Sequence, residues 1–257
     1  MLARAPFSEI AVMKKEALES LTAKEIRALI TKWLFAQTGG EIQSGPFKGT
    51  KMLVNTAWQE SNLAPQILGC YEQELHNCIE GEIKRLSEIE RPRIVDIGCA
   101  EGYYAVGLAK RLPHAEVYAI DVNELALEIA QRCAELNGVD NLSVAPLLMD
   151  GTTIDFIMCD CEGHEVDYLD PEKFPQLIHT HMLVEMHDFP DQPTTEIIFR
   201  RFKDTHDIYI MYEGGRDPNA FDFMVDWHNI TRWLAISEGR PVRMYWMFFT
   251  PKEENGK

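Results

Sequence analysis

The chain has 257 residues, 46% of them hydrophobic, which is ample for a core. Its length suits one domain with an extension rather than two full domains. Lys and Arg number 25 against 41 Asp and Glu, a formal charge of −16 that repels phosphate backbones and anionic membranes and argues against nucleic acid as a general substrate. The six cysteines (Cys70, Cys78, Cys99, Cys133, Cys159 and Cys161) contain no C-x-x-C pair, which disfavours a zinc site and suits a reducing compartment. No apolar leader core and no long apolar run is visible, so the expectation is a cytoplasmic protein with no membrane partner.

Residues 1–90 read as a helical N-terminal cap. Ser8–Ser20 forms a first expected helix. Thr22-Ala23-Lys24-Glu25 has the spacing of a capping box, and Ile26, Leu29, Ile30, Trp33 and Leu34 then mark one apolar helix face up to Gly39-Gly40. Gln43–Thr50 is loop-like, and residues 55–62 show no clear period. Pro65 opens a further helix carrying Leu68, Tyr71, Leu75, Ile79, Ile83 and Leu86. The cap reads as a packing extension or as a substrate lid with Trp58, Tyr71 and Glu74 facing the acceptor. Its apolar helix face is compatible with a homodimer or with packing inside the chain.

Residues 91–257 read as a second region. Ile94, Val95 and Ile97 form a short buried strand, and Asp96-x-Gly98-x-x-x-Gly102 then makes a turn into a helix near Tyr104–Arg111. The glycines allow a tight turn and close approach of a ligand. Position 100 is Ala, so this is not the dinucleotide pattern, and an acidic strand end suits an ammonium or hydroxyls better than a pyrophosphate. A second strand, Glu116–Ile120, ends at Asp121, a carboxylate able to accept both ribose hydroxyls of an adenosine. Strand, glycine turn, helix, strand and acid together resemble the cofactor half of class I S-adenosylmethionine (SAM) dependent methyltransferases. That resemblance implies a Rossmann-like α/β fold, with Asp96, Gly98, Cys99, Ala100, Gly102, Asp121 and Val122 around the cofactor.

Beyond Asp121 the expected order is a helix over 123–137, a strand over 141–145, a short connection containing Asp150, and a strand over 154–159. A short helix over 171–179, a strand over 181–186 and a helix over 194–204 follow. Two last strands, 207–212 and 242–250, flank a long insertion. The late aromatics, Trp227 and Trp246 among them, read best as core. Two acidic clusters end adjacent strands: Asp160/Glu162/Glu165 and Glu185/His187/Asp188. In an open parallel sheet this is the edge where ligands bind.

Asp160-x-Glu162-Gly163-x-Glu165 followed by Glu185-x-His187 resembles the FkbM family of SAM-dependent methyltransferases, over residues 93–190 and more loosely 45–49. The resemblance implies a mostly parallel seven-stranded sheet, SAM as donor, and O-methylation of a small-molecule acceptor such as a natural product or sugar. Asp150 is then placed at the adenine and Asp160 beside the cofactor. For catalysis the candidates are His187 as base, with Asp160 and Glu185 at the reacting end, and His164 as a second base. Asp160, Glu162, Glu185 and Asp188 offer oxygen ligands to a Mg2+ ion, or pair with basic groups instead. Other chemistries stay open: N-methylation of an amine or guanidine, cyclisation of the methionyl part of SAM, or SAM binding without catalysis.

Overall fold

The computed structural model describes residues 21–54, 63–144, 152–240 and 242–252; the expected helix over 8–20, Trp58 and Asp150 lie outside the described residues. The described residues up to Gln73, together with 214–240, form one compact unit. Glu74–Glu213 with 242–252 form the other.

In the first unit, α1 (Ala23–Thr38) begins with the expected capping box. The Thr22 hydroxyl accepts from the Glu25 N–H at 3.3 Å, and the Glu25 carboxylate accepts from the Thr22 N–H at 2.7 Å. Ile26, Ile30 and Leu34 are buried, and Trp33 meets Trp227 edge-on at 4.7 Å. The helix expected to run from Pro65 to Leu86 is broken. α2 (Leu63–Leu68) stops because Gly69 takes φ +78° and packs so closely that a Cβ would lie 2.0 Å from the Ser44 carbonyl oxygen. The insertion between the last two strands carries α8 (Asn229–Ile236). A buried ion cluster ties it to the start of the chain. Arg240 pairs with Glu72 and, at 2.9 Å, with Glu238, while Glu238 also pairs with Arg216 and accepts from the Glu72 N–H at 2.9 Å.

The second unit is a seven-stranded sheet. Its strands are β1 (Arg93–Ile97), β2 (Glu116–Ile120), β3 (Leu142–Val144), β4 (Phe156–Cys159), β5 (His181–Glu185), β6 (His206–Tyr212) and β7 (Tyr245–Pro251), in spatial order β3-β2-β1-β4-β5-β7-β6. β1 to β5 pair in parallel, and β7 runs antiparallel between β5 and β6. Buried on both faces, the parallel strands are nearly continuous apolar runs, as Phe156-Ile157-Met158-Cys159 shows. The chain steps outward from β1 to β3 and returns on the other side of β1 with β4. The β1/β4 crevice is therefore the switch point where such sheets bind ligands. This Rossmann-like architecture is the expected one.

Helices α3 (His76–Leu86), α4 (Tyr103–Arg111), α5 (Glu124–Leu136), α6 (Glu165–Tyr168) and α7 (Thr194–Phe202) complete the unit. α3 belongs with the sheet, so the division falls at Gln73 and not at residue 90. Glu82 meets the His181 ring of β5 at 3.0 Å, and Arg85 donates to the Asp155 carbonyl beside β4 at 2.8 Å. The helix expected over 171–179 is only a 3-10 turn, Pro175–His179. No helix among the described residues is long and apolar enough to cross a membrane.

The buried ion cluster yields a stability expectation. Glu72→Ala removes one of the two carboxylates that hold the buried Arg240 guanidinium and should cost about 3 kcal/mol, whereas Arg91→Ala, at an exposed pair with Glu116, should cost about 0.5 kcal/mol or less. Urea unfolding of the two variants checks this difference.

Candidate active site

The site is built at the carboxyl ends of β1, β2, β4 and β5, all within the second unit. Gly98 and Cys99 turn over β2, their N–H groups donating to the Ile120 carbonyl at 2.8 and 3.0 Å. Gly98 sits at φ +81°, and a Cβ there would lie 1.6 Å from the Asp160 carbonyl oxygen. Its first role is thus to let β1 and the end of β4 touch, a packing demand rather than room for a ligand alone. Gly102, at φ +85°, serves helix packing in the same way, since a Cβ would lie 3.1 Å from that of Ala130 on α5.

Between them Ala100 takes φ +45°, unusual for a residue with a side chain. Asp121 holds it there. One Asp121 oxygen accepts from the Ala100 N–H at 3.0 Å and the other from the Asn123 N–H at 2.8 Å. Each carboxylate oxygen keeps a further acceptor position, so the hydroxyls of a ribose remain within its capacity. Val122 is 82% exposed beside it. Cys99 is buried and its thiol lies 3.6 Å from the Ala100 carbonyl.

Asp96 is buried at the end of β1, and its Oδ2 has no hydrogen-bond partner. Burial pushes its carboxyl up to about 7; the Ala105 N–H opposes this and the Asp121 charge adds to it. A buried, unsatisfied acid in a turn of donors and acceptors is what a ligand ammonium would complete. These residues fit the cofactor that the sequence implies.

The second half of the site follows β4 and β5. Glu165, fully buried at the start of α6, organises it. One of its oxygens accepts from the Gly163 N–H at 3.2 Å and from His187 Nδ1 at 2.8 Å. Burial is the largest single influence and raises the Glu165 pKa, but the His187 hydrogen bond and charge together with the backbone N–H groups of Glu165 and Gly163 outweigh it, and the net shift is downward. An ionised Glu165 fixes the tautomer: Nδ1 carries the proton and Nε2 faces inward. Around Nε2 lie Glu162 at 3.6 Å, Asp160 at 3.8 Å and Glu185 at 3.9 Å. Burial would lower the His187 pKa, yet its bond to Glu165 and the charges of Glu185, Glu165 and Glu162 raise it overall.

Asp160, Glu185 and His187, read from sequence as one reacting end, are therefore brought together. Asp188 is not among them. It accepts from the Thr195 N–H at 2.9 Å, the Thr195 hydroxyl at 2.7 Å and the Tyr245 hydroxyl at 2.9 Å, so it caps α7 instead of joining the cluster. His164 is 69% exposed and pairs with Asp167 at 3.3 Å, away from His187. Of the lid candidates, Tyr71 lies in the first unit and Glu74 opens the second. Glu165 is the residue whose role the sequence left undefined, although its place two residues after Gly163 put it in the acidic motif.

Comparison with known proteins bears on the second unit. Residues 90–212 match a family model described as a methyltransferase domain. The matched segment, just under half of the chain, is similar to methyltransferase domains. The chain is 46% identical over 68 residues to the release factor glutamine methyltransferase of Flavobacterium psychrophilum, covering 26% of this chain and 24% of that protein. It is 43% identical over 58 residues to ribosomal RNA small subunit methyltransferase C of Hahella chejuensis, 23% of this chain and 17% of that one. The chain thus spans a quarter or less of these relatives. Among solved structures, the methyltransferase domain of METTL16 superposes with a TM-score of 0.50 at 13% identity, over 89% of this chain and 96% of that one, a likeness of fold.

Two outcomes follow for the second unit. Gly98→Ala should destabilise it by about 3 kcal/mol or more, because both the left-handed φ and the Asp160 carbonyl forbid a Cβ. Gly138→Ala has open space around it and should cost only about 1–2 kcal/mol for its φ. Asp96 makes ligand-free stability depend on pH. Between 3.8 and about 7 the folded chain holds a proton on Asp96 that the unfolded chain has lost, so this contribution falls as pH rises through that window. Urea midpoints measured across the window should show the fall in the wild type and a flatter profile in Asp96→Asn.

Proposed function

We propose that the chain is a SAM-dependent methyltransferase whose donor lies in the Asp96–Asp121 turn and whose acceptor is a small molecule with a hydroxyl group. The observation that carries the reading is the unsatisfied oxygen of buried Asp96, on the same sheet edge as the His187 cluster. Bound SAM supplies a methyl carbon on sulfur, a good leaving group. Asp96 pairs with the ammonium of the donor's amino acid part, and Asp121 accepts from ribose hydroxyls while holding the Ala100 turn in shape. The Gly98–Asp160 contact fixes the first half of the site against the second. Asp160, Glu185 and His187 hold the acceptor and favour loss of its proton, and Glu165 orients His187.

Within the broad family, the Asp160-x-Glu162-Gly163-x-Glu165 and Glu185-x-His187 stretches favour an FkbM-like member. All six cysteines are free thiols, which agrees with a reducing, cytoplasmic setting. A second reading is N-methylation, favoured by the excess of carboxylates around His187 and in keeping with the relative named for glutamine methylation. The relative named for ribosomal RNA also weakens the exclusion of nucleic acid drawn from net charge.

The test is product analysis. Incubation with SAM and a panel of hydroxyl, amine, peptide and RNA acceptors should yield S-adenosylhomocysteine (SAH) and a methyl ether with a hydroxyl member. Glu185→Gln should lower that rate by about 100-fold or more. Methylthioadenosine as the product, or methylation confined to nitrogen, would contradict the proposal.

A further inference from the structure

We propose that Asp160, Glu185 and His187 form a binding site for a divalent transition-type cation, with Mn2+ as the ion that fits best. The inference deepens the reading of this site, although ion binding itself needs no SAM.

Geometry gives the first observation. One ligand atom from each of the three side chains lies within 4.8 Å of the others. Atoms on opposite sides of a six-coordinate ion with bonds of about 2.1–2.5 Å are about 4–5 Å apart, so a single ion can be reached by all three. The residues end two neighbouring parallel strands, β4 and β5, whose pairing fixes their spacing.

His187 gives the second. Its side chain is only 8% exposed, and Nδ1 is committed to Glu165 at 2.8 Å. Nε2 points into the cluster and makes no hydrogen bond: the Glu162, Asp160 and Glu185 oxygens stand at 3.6, 3.8 and 3.9 Å. In the neutral tautomer a lone pair there faces carboxylate oxygens, an arrangement that a proton on Nε2 or a cation between the groups relieves, and the three ligand atoms stand close enough for one cation to do so. The buried Glu165 behind the ring is the partner that metal-bound imidazoles commonly have, and it raises the basicity of the ligating nitrogen.

Donor chemistry selects the ion. Two carboxylates and one imidazole form a mixed oxygen–nitrogen set with no thiolate. Mg2+ and Ca2+ favour oxygen alone, so the imidazole shifts preference to the transition series, and the carboxylates keep Mn2+ in range. Three protein ligands leave positions for water or for an acceptor oxygen. A hydroxyl held there loses its proton more easily. In that state His187 is a ligand and not the base. Glu162, 84% exposed, borders the open side without being required as a ligand.

The test is Mn2+ titration of the purified full chain, followed by loss of the free-ion electron paramagnetic resonance signal, with circular dichroism of every variant as a check of folding and SAH binding by calorimetry measured separately. The expected result is one saturable site per chain, abolished in Glu185→Gln and in His187→Ala. Glu165→Gln should weaken it by about 10–100-fold, while Asp188→Asn, outside the cluster, should stay within about threefold. If His187→Ala fails to fold, Asp160→Asn reads the same site. Absence of saturable Mn2+ binding in folded wild type, or binding that survives both Glu185→Gln and His187→Ala, would overturn the proposal and return His187 to the role of base. Mn2+ binding without SAH binding would support the ion site and overturn the methyltransferase reading instead.

Discussion

The contact on which the site depends is backbone against backbone: the Cα of Gly98 lies against the carbonyl of Asp160 with no room for a side-chain atom between them. β1 and β4 are neighbours in space although Gly98 and Asp160, just past the end of β4 at Cys159, are 62 positions apart in the chain. Their close approach brings the turn after β1 to the acidic loop after β4. Without it Asp96 and Asp121 would still shape a turn, and Glu165 would still hold His187, but the two halves would not share one crevice. The requirement falls on backbone geometry, so only glycine meets it, and it would hold whatever ligand the crevice receives.

Each half is then held by one carboxylate working against local strain. Asp121 stabilises Ala100 at positive φ through its N–H. Glu165, without access to solvent, gathers the Gly163 N–H and His187. In both cases a charged group accepts backbone or ring donors, which makes burial tolerable and fixes the loop. Asp96 is the contrast. Glu165 too keeps one oxygen without a partner, but among the described residues no ring donor reaches Asp96, and its carboxyl is pushed up to about 7 rather than down. A group that is costly to the free protein and satisfied by a ligand is characteristic of a binding site.

Much of this was legible in the sequence for a simple reason. Strands buried on both faces appear as short apolar runs, and the acids that end them stand out at Asp96, Asp121, Asp160 and Glu185. The α1 capping box and its stop at Gly39 were equally plain. Long-range satisfaction was not legible. Asp188 looks like its neighbours in sequence, yet Thr195 and Tyr245 occupy it, the latter on a strand that comes late in the chain. Glu165 became the centre of its half only because β5 delivers His187 to it. The break at Gly69 depends on Ser44, and the joining of residues 214–240 to the first unit depends on Glu72, Glu238 and two arginines; no periodicity announces either.

The most direct measurement is a calorimetric titration of the full chain with SAH, in wild type and in Asp96→Asn. The account requires one-site binding in the wild type, loosened in the variant, because the unsatisfied Asp96 oxygen is the group that meets the ligand. No binding at about millimolar SAH in folded protein, or equal affinity in both chains, would contradict it.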